Sequence, residues 1–238
     1  MAEMSAEAVF DVLSQAELLA GLTVPDLRAI VELAHAAGAR VYVDAVHAAP
    51  HRRLDVEAIG CDALVCSAYK WVGPHVGVLW ARAALLEELP VSKLRPSPDT
   101  APERWELGTL PFEQLAAVAA AAEYVLGQDW EAVRAHEQAL LRTALDGLAG
   151  VPGVTVYGDA ADRTPTVMFN VGGRSATEVA RALAAERVAV WQGNYYAWEL
   201  ERLLGLAPHG AVRAGFVHYN EREDAERLVA AVERLSRG

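Results

Sequence analysis

The chain has 238 residues, of which 53% are hydrophobic and 22% charged, with a formal net charge of −11. That balance fits a globular protein of one or two domains with a sizeable core, and it argues against a basic nucleic-acid surface. Two cysteines, Cys61 and Cys66, suggest neither a disulfide framework nor a four-ligand zinc site. No apolar run approaches a membrane span, and the N-terminus lacks a basic start followed by an apolar core, so a reducing cytoplasm is expected.

In chain order, Ser5 to Ala20 sets Val9, Phe10, Leu13, Leu18 and Leu19 among polar residues and reads as a helix. Thr23 is the expected N-cap of a second helix over Val24–Ala37, with Pro25 and Asp26 in its first turn and Gly38 ending it. An apolar run ending in Asp44 follows, an αβ unit that feeds a parallel sheet. Two more short runs, Ala63–Cys66 and Val76–Trp80, are bounded by turn residues and read as buried strands. The first leads into Ser67-Ala68-Tyr69-Lys70; the Gly73-Pro74 turn precedes the second. Strand ends of this kind are where sheet-based sites gather polar groups. An acid there can pair with a ring nitrogen, and a lysine in an apolar setting can form a Schiff base.

Downstream, Ala83–Leu89 reads as a short helix and Arg95–Arg104 as a Pro- and charge-rich loop. Thr109 is a candidate N-cap for a helical region over Pro111–Gly127, which with Trp130–Ala149 forms a bridge. The boundary is expected at residues 150–153, dividing the chain into 1–150 and 151–238. In the second part, Val154–Tyr157, Thr166–Val171, Val188–Trp191 and Ala211–Phe216 read as strands. Ser175-Ala176-Thr177-Glu178 is a capping box for a helix through Ala185, and Tyr196–Leu204 is helical. Asn220, with Glu223 at the box position, is expected to cap a last helix whose Leu228, Val229, Val232 and Leu235 face inward. Trp191, Tyr195, Tyr196 and Trp198 form an aromatic cluster of the core or domain-interface type. His75 reads as a loop histidine. His47 and His51 have metal-pair spacing, but Pro50 lies between them and no third ligand is placed, so no metal is expected.

Three segments carry a resemblance. VDAVH (43–47), CSAYKWVGPHVGVL (66–79) and GAVRAGFVHYNEREDAERLVAAVERL (210–235) resemble the fold-type I pyridoxal-phosphate (PLP) enzymes of the class V aminotransferase and cysteine desulfurase group. The resemblance implies an α/β fold: a partial large domain with a mainly parallel sheet, plus a C-terminal α+β small domain. It implies Lys70 as the aldimine lysine, Asp44 as partner of the pyridinium nitrogen, His47 at the ring hydroxyl and Ser67 at the phosphate. Tyr69 stands where the family has a histidine, among the cofactor contacts. WELGT (105–109) resembles an element whose threonine, here Thr109, reaches the phosphate in a neighbouring subunit, so a homodimer is implied. Arg213 would bind the α-carboxylate of an amino-acid substrate, its planar fork matching the carboxylate bidentately.

Cysteine desulfurases of this family place a nucleophilic cysteine on a loop before that arginine. Between Val188 and Arg213 this sequence has none, so persulfide chemistry of the usual kind is not expected, and transamination, elimination and racemisation stay open. The family's phosphate cradle and stacking ring are not recognisable in Met1–Ala20, so the chain reads as a member shortened at its N-terminus. A second hypothesis follows: a catalytically weak homologue acting as a binding or assembly subunit, its fold completed by a chain that supplies the missing part.

Overall fold

The computed structural model describes residues 24–106, 108–158, 160 and 162–237. The helix expected over Ser5–Ala20 and the Thr23 cap lie outside them. The chain divides into two compact units between Trp130 and Glu131, whereas the sequence placed the boundary at 150–153.

In the first unit, helix α1 (Val24–Ala36) leads into strand β1 (Tyr42–Asp44). A one-turn helix not foreseen from the sequence, α2 (Val56–Ile59), follows. Asp55 caps it by accepting from the Glu57 and Ala58 N–H groups, and Gly60 ends it at φ 81°. Strand β2 (Ala63–Ser67) pairs parallel with β1 and antiparallel with β3 (Gly77–Ala81). Val31 of α1, Ile59 of α2, Cys61 and Leu64 form the core of this unit, with Val43 and Trp80 packed against it. The strand period of two sends Tyr42 and Leu79 to the other face, where they are 60% and 54% exposed. Helix α3 (Ala83–Glu88) and helix α4 (Phe112–Leu126) complete the unit.

The second unit takes in nearly all of the long helix α5 (Trp130–Ala149). It continues as strands β4 (Val154–Tyr157) and β5 (Thr166–Val171), helix α6 (Ala176–Ala185), strand β6 (Trp191–Gly193), helix α7 (Trp198–Leu203), strand β7 (Ala211–Gly215) and helix α8 (Arg222–Arg237). The sheet is antiparallel throughout, in the order β4-β5-β7-β6. Val167, Phe169 and Val171 alternate inward from β5 and meet Val212, Ala214 and Phe216. Leu183 of α6, Leu140 and Leu148 of α5, and Leu228 and Val232 of α8 cover that face. Each such fully buried side chain contributes about 1.5–3 kcal/mol. The opposite face carries Met168, Asn170 and Arg213.

The capping box is formed as expected: Ser175 Oγ accepts from the Glu178 N–H at 3.2 Å, and Glu178 accepts from the Ser175 N–H at 2.8 Å. Two expectations are corrected. The β6 strand runs over Trp191–Gly193, not Val188–Trp191: Val188 N–H turns back to Leu183 O at the helix exit, and the ladder with β7 begins at Trp191, opposite Arg213. Asn220 does not cap α8. Its side chain is taken up locally, accepting from the Val217 N–H at 2.9 Å, and Asp224 rather than Glu223 accepts from the Glu221 N–H at 3.1 Å. Among the described residues no helix is long and apolar enough to cross a membrane.

Candidate functional site

The parallel pairing of β1 and β2 sets Asp44 opposite Val65. Asp44 and Ser67 therefore close neighbouring strands at the same, C-terminal, edge, where open α/β sheets bind ligands. Asp44 is exposed, and one carboxylate oxygen accepts from the Val46 N–H at 2.9 Å, which fixes the side chain over the start of the next turn. Ser67 is half-buried, and its hydroxyl makes no capping bond to the 3₁₀ turn that follows, Ala68–Trp71.

Lys70 rides on that turn. Gly73 N–H closes the turn onto Ala68 O at 2.8 Å, and Ala68 N–H donates to Val76 O at 2.8 Å. The approach is so close that a Cβ on Gly73 would lie 2.9 Å from both the Cβ and the carbonyl oxygen of Ala68. Val72 between them is held at φ 64°, in the left-handed region that a β-branched side chain rarely enters. The Lys70 side chain makes no hydrogen bond or ion pair with the described residues, and its Nζ lies 6.0 Å from the centroid of the Tyr69 ring. The only other lysine, Lys93, is tied down, donating to Ser97 O at 2.8 Å and pairing with Asp99 at 2.8 Å.

Around this turn, Tyr69 is exposed and stacks on His75, ring centroids 5.1 Å apart and 15° from parallel. His75 is thus more than a loop residue. His47 is exposed and meets His51 edge-on at 5.5 Å. Thr109 is exposed in the bend before α4 and hydrogen-bonds to none of the described residues. Among the described residues no group of three His, Cys, Asp or Glu side chains is placed to hold a metal ion. A groove of about 470 Å³ lined by Leu64, Cys66, Trp71, Val78, Trp80 and Val125 lies on the opposite sheet face, and none of Asp44, Ser67 and Lys70 lines it.

Arg213 belongs to the second unit. It is half-buried on β7, across the ladder from Met168 and Trp191. Its guanidinium carbon sits 4.5 Å from the centroid of the Tyr195 ring. The Arg213 guanidinium forms no hydrogen bond or ion pair with the described residues. Burial pushes the Tyr195 hydroxyl up to about 12, against the pull of the Arg213 charge, so it remains a donor at neutral pH. The aromatic cluster read from the sequence as core or interface is not core: Trp191, Tyr196 and Trp198 are exposed, and Tyr195 alone is half-buried. The pairing of Tyr195 with Arg213 escaped the sequence reading, which saw only adjacent aromatics.

Comparison with known proteins bears on this geometry. The family model described as Aminotransferase class-V matches residues 6–228. The chain is 34% identical over 226 residues to a cysteine desulfurase of Salmonella agona, covering 90% of this chain and 54% of that protein. It is 33% identical over 224 residues to an aminotransferase-like protein of Gibberella zeae, covering 90% and 56%. The crystal structure of a cysteine desulfurase from Escherichia coli superposes with a TM-score of 0.80 at 28% identity, covering 88% of this chain and 54% of that one. The fold is therefore that of the fold-type I PLP enzymes, and the chain spans about half the length of these relatives.

Proposed function

The chain belongs to the class-V aminotransferase family, and from that premise we propose that it carries the lysine-bearing part of a PLP-dependent enzyme acting on an amino acid. The observation that supports this most is the contrast between the two lysines. Lys93 is spent on Ser97 and Asp99, while Lys70 is unpaired among the described residues, on a turn held in a strained shape beside two polar strand ends.

The residues present fit the cofactor. Ser67 and Thr109 keep hydroxyls available for a phosphate. Asp44 has one oxygen on the Val46 N–H, which orients the carboxylate. When bound, PLP supplies an electron sink for negative charge at the substrate Cα. Lys70 would hold the group covalently and move the proton at Cα. Asp44 would hold a proton on the ring nitrogen. A charge pair at about 4 Å with an effective dielectric of about 20 is worth about 4 kcal/mol, roughly three pKa units. His47 and Tyr69 would flank the ring, and Arg213, with its N–H groups unclaimed, would take the α-carboxylate.

The two cysteines support the non-persulfide side of this reading. Cys61 is buried and Cys66 half-buried in the first unit, and burial pushes both thiols above their usual range. Neither stands near Arg213 in sequence.

The test is reduction with borohydride in the presence of PLP, followed by peptide mapping. The label is expected on Lys70. A label on Lys93 would overturn the assignment. A second reading, a binding or assembly subunit, draws on a different observation: among the described residues, β1 and β3 each present an unpaired edge that a strand from another chain could extend. PLP that dialyses away readily from the chain alone, yet is retained after a chain carrying the rest of the family's large domain is added, would favour it.

A further inference from the structure

The arginine proposed to bind the substrate carboxylate has a partner with no role assigned so far. The Tyr195 ring lies under the Arg213 guanidinium at 4.5 Å, within cation–π range. That ring is pinned. Its hydroxyl donates to Ala211 O, on the strand that carries Arg213, and Trp191 O is 3.2 Å away, on the residue paired with Arg213 across the ladder. The backbone is pinned as well. Asn194 to Ala197 is a tight turn closed by Ala197 N–H on Asn194 O at 2.8 Å, with the Asn194 side chain accepting from the Tyr196 N–H at 3.0 Å. Tyr195 and Tyr196 sit at φ 54° and 65°, where a turn of this kind takes Asn-Gly by preference. Behind it, Gly210 packs so tightly on Gly193 that a Cβ there would lie 2.4 Å from the Gly193 carbonyl. Two bulky residues in the left-handed region persist only where the surroundings over-determine them, and such strain concentrates at ligand clamps.

We propose that Tyr195 is a positioning residue for Arg213: the pinned ring selects the guanidinium orientation that presents its N–H fork to the α-carboxylate. This rests on the reading of Arg213 as the carboxylate-binding group. The ring covers one face of a planar cation and leaves the edges open, and the edges are where a carboxylate bonds. An arginine free to sample its rotamers would have to be ordered on binding; one already stacked is not.

The experiment uses the full chain with nitrogen-15 in its arginines. The Arg213 Nε–H signal is identified by its loss in Arg213→Gln. It is expected to be displaced by the aromatic ring current and to be as rigid as the backbone in the wild type, to keep the displacement with some loss of rigidity in Tyr195→Phe, which lacks the hydroxyl pin, and to lose both properties in Tyr195→Leu. Propionate, with propionamide as the neutral control, is then titrated. Tyr195→Leu is expected to weaken propionate about tenfold, Tyr195→Phe by less than about threefold, and Arg213→Gln is expected to abolish binding. A flexible Arg213 signal in the wild type overturns the proposal, whether or not Tyr195→Leu folds. So does loss of binding in Arg213→Gln with unchanged affinity in a folded Tyr195→Leu protein. Propionate binding that survives Arg213→Gln overturns the carboxylate reading itself and the positioning role with it.

Discussion

Replacing Gly73 with alanine tests whether the shape of the Lys70 turn is set by backbone contact. The new Cβ would lie 2.9 Å from both the Cβ and the carbonyl oxygen of Ala68. Ala68 cannot retreat easily: it is fully buried, its N–H is bonded to Val76 O, and its carbonyl receives the Gly73 N–H. The turn must open. Overpacking of this kind costs about 1–3 kcal/mol, and a strained or lost hydrogen bond adds about 1 kcal/mol. A net loss of about 2–4 kcal/mol corresponds to a fall in Tm of roughly 4–16 °C in a chain of this size. Gly77→Ala is the control, since nothing lies within 4 Å of a Cβ there, and it is expected to stay within about 0.5 kcal/mol of wild type. Urea and thermal unfolding give the stability, and borohydride labelling with PLP gives the position of Lys70. Gly73→Ala is expected to melt lower and to label poorly at Lys70. A Gly73→Ala protein that melts with the wild type and labels fully at Lys70 would refute the reasoning.

Asp62 accepts from the Val41 N–H at 2.7 Å and pairs with His35 at 2.8 Å, so Asp62→Ala is expected to destabilise the chain by about 1–3 kcal/mol in urea unfolding. The Val41 N–H, then the His35 contact, hold the Asp62 carboxyl below its ordinary value against the opposing effect of burial. The unfolded chain then binds this proton first: the stabilisation is complete above about pH 4 and is lost as pH falls through the folded value. Asp62→Asn should flatten that acid-side loss, and an unchanged slope would count against it. Burial raises both thiols, so alkylation of the native chain at pH 7–8 is expected to be slow at Cys66 and slower at Cys61; a Cys61 rate equal to that of the unfolded chain would contradict the packing. With PLP present, sedimentation at micromolar concentration is expected to show self-association, and a monomer alone would remove the cross-subunit role proposed for Thr109.

Elements whose signals are local were legible in the sequence. The apolar runs ending at Asp44 and Cys66 lie within a residue of the strands, and the Ser175–Glu178 box caps its helix as read. Elements that depend on a distant partner were not. Val188–Val190 has strand composition, yet a strand forms only from Trp191, because Val188 N–H is claimed by Leu183 O at the exit of α6. Asn220 looks like a cap, yet its short amide is claimed by Val217 three residues back, which shifts the start of α8. At the candidate site, Asp44, Ser67 and Lys70 could be named from strand ends and resemblance, but the locked turn could not: local preference argues against valine at φ 64°. Tyr195 was hidden for the same reason, since its contact is to a strand 16 to 18 residues onward.

The distribution of backbone strain ties these points together. Four non-glycine residues among those described have positive φ: Val72, Arg187, Tyr195 and Tyr196. Arg187 needs no functional account; it follows the last turn of α6 and bonds back to Ala184 O, as a left-handed helix exit does. The other three also sit at turns, Val72 as the left-handed end of the Lys70 turn with its N–H on Ala68 O and the two tyrosines at the centre of the Asn194–Ala197 turn, but each is a bulky residue that such a position disfavours. Val72 is two residues from Lys70, and Tyr195 carries the Arg213 guanidinium. Each lies beside a close backbone approach, Gly73 on Ala68 in one case and Gly210 on Gly193 in the other. In both places a glycine removes a Cβ so that backbone can meet backbone, and a neighbouring bulky residue takes the strained conformation. At Val72 and Gly73 folding alone would favour the reverse, with glycine at the positive φ; Gly193 and Gly210 are themselves at φ 118° and 68°. The arrangement makes sense where a turn must be stiff: it fixes Lys70 and Arg213 before any ligand arrives, so binding energy is not consumed in ordering them. The chemistry proposed for this chain needs such stiffness at the lysine that moves the proton and at the arginine that orients the substrate.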